Sequence, residues 1–300
     1  MLKDAKIPCL NLAAADEEYA YLHAPLAEQY ALIETWFAQQ WQNYSPNLYT
    51  SVDLRYAGFK LAPVDTNLFP AGFNNLASSS QAFAVQAFKA YLSSFYPEAR
   101  SILLITEHHT RNTFYKEHLQ ALLSLIRAAG YLVECGWWKE ELIDGNALLL
   151  KKDLHIKPIV RVHDRLELAD FKPDLIVLNH DLADGMPNIL AGISQAIVPS
   201  PMLGWHQRKK TTHFAHYTQQ VKNLCQNINF DAWLLDAYYA KVEDVDFSNP
   251  IGAEQLADQA SDLLTQITAK YKFYEISHKP YLILKADAGT YGMGVLSLKD

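Results

Sequence analysis

PYLILKADAGTYGMGVLSL, residues 280–298, decides how the rest of the chain is read. Tyr281 to Leu284 is a short apolar run of the kind that forms a buried strand. Lys285 ends it, Ala286 to Gly294 follow, and apolar residues resume at Val295. Gly289, Gly292 and Gly294 put three glycines into six residues. Such a loop lets backbone N–H groups approach a ligand closely, and concave N–H groups bind anions. Lys285, four residues before the first glycine, adds a point charge suited to phosphate. The stretch reads as strand, Gly-rich lid and strand, folding over the phosphates of a nucleotide. The alternative is an ordinary hairpin with a loose turn, although a tight hairpin needs only two to five connecting residues.

The order of the glycines excludes two commoner motifs. A dinucleotide fingerprint is Gly-x-Gly-x-x-Gly leading into a helix. Here the order is Gly-x-x-Gly-x-Gly, leading into Val295 to Leu298, which alternates like a strand. A Walker A loop requires a Gly-Lys pair, and the chain has none.

Composition bounds the rest. The 300 residues suggest two domains with ample core; half are hydrophobic and one-fifth charged. The net charge of −7 argues against a general partner for nucleic acid or anionic membrane, so a phosphate site must be a local basic feature. Lys285 with Arg208, Lys209 and Lys210 can supply one. Cys9, Cys135 and Cys225 are odd in number and widely spaced, which fits buried thiols in a reducing cytosol. No run approaches the ~18 apolar residues of a membrane span, so a soluble, cytoplasmic protein is expected.

Strand and helix patterns alternate from Ser101 onward. SILLIT (101–106), Tyr131–Cys135, Pro158–Val162 and Asp174–Leu178 read as strands, and residues 78–95 and 112–129 as helices. That alternation predicts a parallel α/β sheet. Residues 25–43 read as a helix with a core-facing stripe of Leu26, Tyr30, Ile33, Phe37 and Trp41. A helix follows Pro199-Ser200-Pro201 with Phe214, Tyr217, Val221, Leu224 and Ile228 on one stripe, and residues 253–271 read as another, 230–242 as extended, and 46–76 as a long irregular segment. Pro199-Ser200-Pro201 marks a boundary between an N-terminal domain of residues 1–198 and a second domain of residues 199–300.

Loops at the carboxyl ends of parallel strands carry ligands. Two of them are polar here, Glu107 to Arg111 and Asn179-His180-Asp181, and they suit either substrate contact or simple capping. His213 and His216 share a helix face without a third ligand for zinc. The irregular segment gathers Asp53, Arg55, Lys60, Asp65, Asn67, Asn74 and Asn75. An amino-acid substrate presents a carboxylate and an ammonium on one carbon. Arg55 offers the two-pronged donor a carboxylate wants, and the aspartates and asparagines suit the remainder. A well-made turn has a similar composition.

Together these pieces resemble the ATP-grasp ligases. SVDLRYAGFKLAPVDTNLFPAGFNNL (51–76) with LILKADAGTYGMGVLSLKD (282–300) resembles in particular the ATP-grasp-type glutamate–cysteine ligases of some proteobacteria. The resemblance implies an N-terminal parallel-sheet domain followed by an ATP-grasp domain. It implies ATP-dependent joining of the glutamate γ-carboxylate to the cysteine amine, with Mg²⁺, as the first step of glutathione synthesis. Lys285 and Arg55 would then be catalytic. Lys285, Gly289, Thr290, Tyr291, Gly292, Gly294 and Lys209 or Lys210 would bind ATP, and the 53–75 set would bind the amino acid. The family's acidic metal ligands lie downstream of the lid, so the ATP-grasp domain is expected to be incomplete here and no metal ligand is named. Another ATP-grasp carboxylate–amine ligase, similar to glutathione synthetase, and a nucleotide-binding protein without chemistry stay open as alternatives.

Overall fold

Ser101–Thr106 is the strand around which the sheet is laid. It forms β3 in a computed structural model that describes residues 20–107, 113–138, 148–151, 154–243, 245, 250–288 and 295–298. The helices are α1 (Ala20–Glu28), α2 (Tyr30–Asn43), α3 (Ser78–Phe95), α4 (Thr113–Ala128), α5 (Lys210–Asn227) and α6 (Pro250–Phe273). The strands that build the main sheet are β3, β4 (Leu132–Trp137), β5 (Leu148–Lys151), β6 (Leu154–Pro158), β9 (Leu175–Asn179) and β10 (Ala196–Val198). Their order is β10-β9-β3-β4-β6-β5, parallel throughout except for β5 against β6. Small antiparallel pairs are formed by β1 (Ser51–Tyr56) with β2 (Leu61–Asn67), β7 (Val160–Val162) with β8 (Arg165–Glu167), and β11 (Leu282–Leu284) with β12 (Leu296–Leu298). The expected α/β class with a parallel sheet is what the molecule has.

The strands are apolar on both faces because both faces are covered. Ile102 and Leu104 enter a core with Phe88 and Leu92 of α3 and Leu119, Leu122 and Ile126 of α4. Leu103 and Ile105 enter a second core with Phe69, Ile159, Leu166, Ile176 and Leu178. A third cluster gathers Leu22, Trp233 and Leu234 with Tyr56, Phe59, Tyr271 and Tyr274. The backbone of β3 leads to β4 on one side, and β9 returns to its other side before β10. The carboxyl ends of β3 and β9 therefore flank the point where the connections diverge, and such crevices hold ligands.

Several expectations are corrected. Residues 25–43 are two helices with a break at Gln29, and α2 buries none of its side chains; Trp41 is 59% exposed. The stripe has helical spacing, but only Leu26 and Ile33 of it are half-buried, and Tyr30, Phe37 and Trp41 stay exposed. The 46–76 segment is not irregular throughout: it contains β1, β2 and a 3-10 turn at Phe73–Asn75. Its period of two was hidden by a bulge at Val64 and by Pro63. Pro158–Val162 divides between β6 and β7 in separate sheets, and 230–242 contains a 3-10 turn at Ala232–Leu234. The strand expected at 281–284 to be buried is half covered, with Ile283 48% exposed. Among the described residues no helix is long and apolar enough to cross a membrane.

The double-sided core gives a direct test. Leu104→Ala empties a site that is 0% exposed and should cost about 2–5 kcal/mol. Leu132→Ala, at a position 69% exposed in the same sheet, should cost less than about 0.5 kcal/mol. Urea unfolding of the two variants checks the contrast.

Candidate active site

The Gly-rich hairpin docks onto β2 and the start of α5. Strands β11 and β12 pair with Leu282 opposite Leu298 and Leu284 opposite Leu296, so Lys285 stands at the base of the connecting loop. The ladder of β1 and β2 slips at Asp53 and Leu54. Asp53 faces Asp65 and Leu54 faces Pro63, which leaves Val64 as the extra residue. A bulged residue falls out of the ladder. The Val64 carbonyl oxygen instead accepts from the Lys285 Nζ at 2.8 Å.

The next two residues of β2 hold two more cations. Lys210 lies 3.4 Å from the Asp65 carboxylate. Arg208 donates to the Thr66 carbonyl at 2.7 Å and to the Thr66 hydroxyl. Both side chains lie over the ring of Trp205, with the Lys210 Nζ 3.8 Å and the Arg208 Cζ 4.8 Å from its centroid. A cation over an indole face is attracted by the ring quadrupole. Burial pushes the Lys210 and Arg208 pKa values down, while Asp65 pulls both back up. His213, on the first turns of α5, is pushed down to about 4 by burial and then by Arg208, so it is neutral at neutral pH.

Asp287 fastens the hairpin base to this cluster. Lys209, the N-cap of α5, gives no side-chain cap. Asp287 supplies one from outside the helix: Thr211 donates its N–H and its hydroxyl to the carboxylate at 2.8 and 3.0 Å, and the Lys210 N–H donates to the Asp287 carbonyl at 2.8 Å. A carboxylate at a helix N-terminus satisfies orphan donors and suits the helix dipole.

Of the residues singled out in the sequence, Lys285, Lys210 and Asp65 are brought together. Gly289, Thr290, Tyr291, Gly292 and Gly294 lie outside the described residues. Lys209 is exposed at the helix start. Arg55 is not in the cluster: it is exposed on β1 and donates to the carbonyl of Leu54 at 3.2 Å. Asp53 is exposed across from Asp65. Lys60 turns to the third core, over the Trp233 ring at 4.4 Å and onto the Trp233 carbonyl, and burial pushes its pKa down to about 8. Asn67 accepts from the Phe69 N–H at 2.8 Å and shapes the turn. Asn74 and Asn75 stand in the 3-10 turn against α4. Arg208 was legible only as part of a basic run, and Asp287 and Trp205 carried no sequence signal.

A second cluster lies at the diverging strand ends. Glu107 follows β3, and His180 and Asp181 follow β9; their ligand-type atoms lie within 4.8 Å of one another. The Asp181 N–H donates to Glu107 Oε1 at 2.6 Å, and His180 Nε2 is 3.5 Å from Glu107 Oε2. Trp137 stacks on the imidazole at 5.5 Å, and Trp138 lies tilted against it at 4.8 Å. Burial, then the Asp181 charge, push the Glu107 pKa up to about 8. Two links join this cluster to the first. The Trp205 backbone N–H donates to the Asp181 carbonyl at 2.9 Å. Gly204 permits that approach, since a Cβ there would lie 2.8 Å from the Leu182 Cβ. Asn179 donates to the Pro70 carbonyl at 2.9 Å and accepts from His118, tying the end of the 51–76 segment to β9.

Fold and site thus define an α/β protein with a cationic cluster set beside a pair of carboxyl groups. The model of the glutamate–cysteine ligase family matches residues 24–300. The chain is 41% identical to a crystal structure from Methylobacillus flagellatus KT, provisionally named a gamma-glutamylcysteine synthetase. The match has a TM-score of 0.88 and covers 98% of this chain and 69% of that one. A comparison with curated proteins gives no match. The chain belongs to the glutamate–cysteine ligase family and is a ligase.

Two outcomes test this geometry. Glu107 has a folded pKa near 8 against an ordinary value of 4.5, so its contribution to stability is full below about pH 4.5 and is lost as pH rises through 8. Glu107→Gln should therefore gain stability over wild type as pH rises from 5 to 8, read by melting temperature. Asp287→Ala should lower stability by about 0.5–2 kcal/mol through loss of the α5 cap, read by chemical unfolding.

Proposed function

We propose that this ligase joins the γ-carboxylate of L-glutamate to the amine of L-cysteine through an acyl phosphate at the expense of ATP. The product is γ-glutamylcysteine, the first step of glutathione biosynthesis. The observation that carries the reading is the convergence of Lys285, from the Gly-rich hairpin, and Lys210, from the start of α5, on adjacent residues of β2. On this reading residues 1–198 form the substrate-binding α/β domain, and 199–300 belong to an ATP-grasp domain.

A carboxylate is a poor electrophile, being negative and lacking a good leaving group. Attack of a γ-carboxylate oxygen on the terminal phosphorus of ATP releases ADP and leaves an acyl phosphate. The amine then attacks the acyl carbon, phosphate leaves, and the nitrogen gives up a proton. The protein's share is to position the groups and to neutralise charge as phosphate is transferred. Lys285 and Lys210 are placed to do so. Both are held by neutral or single-charge partners that a polyphosphate out-competes. Gly289, Gly292 and Gly294 would close over the phosphates and exclude water that otherwise hydrolyses the intermediate.

Glutamate–cysteine ligases are ATP-dependent and typically use a divalent metal. Among the described residues, Glu107, His180 and Asp181 are the one group with clustered ligand atoms. They do not fit a metal as they stand. The Leu182 N–H donates to His180 Nδ1 at 3.0 Å, so the ring proton sits on Nε2, the nitrogen that faces Glu107. No step is assigned to Mg²⁺ through these residues.

Lys285→Ala should weaken ATP binding at least about tenfold while leaving the melting temperature nearly unchanged, because its partner is one carbonyl rather than a core. Equal affinity by calorimetry would remove Lys285 from the site. With hydroxylamine in place of cysteine, the enzyme should form glutamyl hydroxamate and ADP. Release of AMP would replace the acyl phosphate with adenylation.

A further inference from the structure

The Glu107–His180–Asp181 cluster is left without a task by the phosphate chemistry. Its two carboxyl groups offer oxygens within 4.8 Å of each other while both are largely withdrawn from water. Two carboxylates so placed repel and call for a cation between them. Three cations are available in principle: a proton, a metal ion or an organic ammonium. The tautomer of His180 decides against the metal. Its Nδ1 accepts the Leu182 N–H, so Nε2 presents a hydrogen to Glu107 and has no lone pair to offer. Leu182 is held for this in a left-handed conformation, φ 54°, and is fully buried. A proton neutralises the pair only while no larger cation is bound.

An ammonium fits better. It is a compact cation with three donors, matched to two carboxyl groups side by side. The position is the divergence point of the parallel sheet, where ligands of such folds lie. Thr106, whose fully buried hydroxyl has no hydrogen-bond partner among the described residues, ends β3 directly before Glu107. The cluster also stands next to the cationic one, through the bond from Trp205 to Asp181 and the seat of Lys210 on the Trp205 ring. An amino acid bridging the two would present its ammonium to the carboxyl pair and its distal carboxylate to the lysines.

We infer that Glu107 and Asp181 bind the α-ammonium of the glutamate substrate, with His180 orienting Glu107. The inference rests on the ligase reading in one respect: it takes glutamate as the ligand. The ammonium is that of glutamate and not of cysteine, because the cysteine nitrogen must be unprotonated to attack and a carboxyl pair would hold it charged.

Calorimetric titration tests this without requiring turnover. Wild type, Glu107→Gln and Asp181→Asn are each titrated with glutamate and with glutarate, which lacks only the amino group. Wild type should prefer glutamate by about ten- to a hundredfold, and each variant should lose that preference by weakening glutamate alone. A similar preference in wild type and both variants overturns the inference. So does an equal loss for both ligands, which marks a merely structural role, or failure of wild type to bind glutamate. So does Mn²⁺ binding that disappears in Glu107→Gln. If the preference collapses as expected but wild type forms no product from glutamate, cysteine and ATP, the binding site stands and the ligase reading falls.

Discussion

One dislocation in a two-stranded ladder underlies the site. At Val64 the β2 backbone bulges, and the carbonyl that leaves the ladder is the one that receives Lys285. Pro63, which has no N–H, precedes it, so the strand loses little by slipping there. The same irregularity turns Asp65 and Thr66 toward Lys210 and Arg208. Three cations from two distant stretches thereby share three consecutive residues. Repulsion among them is offset by Asp65, by two carbonyls and by the face of Trp205 rather than by a full complement of acids. A cluster arranged in this way keeps net positive charge for an incoming anion.

The two halves of the site are mechanically continuous. Asp287 caps α5, so the hairpin base and the helix that carries Lys210 behave as one piece. Trp205 carries the link onward to Asp181 and hence to the end of β9. Asn179, bonded to both Pro70 and His118, anchors the other end of the 51–76 segment to the same strand. The segment therefore spans from the lysines to the carboxyl pair, a span suited to a ligand that is cationic at one end and anionic at the other.

The sheet was readable because SILLIT and the 175–179 run are buried on both faces, and continuous apolar strands between amphipathic helices have few other solutions. The hairpin was readable from the lysine, the glycines and the return of alternation at Val295. The β1–β2 pair was not, since its bulge and proline break the period that announces a strand. Trp41 and Phe37 misled because helical spacing reports a stripe and not what covers it. Arg55 was attractive by chemistry; on β1 it is exposed and donates to the neighbouring Leu54 carbonyl. Asp287 as a cap for a helix that begins at Lys210 is a long-range pairing that no local pattern encodes. The polar loops after β3 and β9 were visible individually; only the parallel register, which sets Thr106 beside Asn179, makes Glu107, His180 and Asp181 neighbours.

The central claim is that the lysines gathered on β2 form the phosphate site of the ligase. A crystal structure of the protein with glutamate and a non-hydrolysable ATP analogue tests it most directly. The terminal phosphates should lie within hydrogen-bonding distance of both Lys285 and Lys210, with the Gly289–Gly294 loop folded over them. Phosphates bound elsewhere, with Lys285 still on the Val64 carbonyl and Lys210 still on Asp65, would contradict the account.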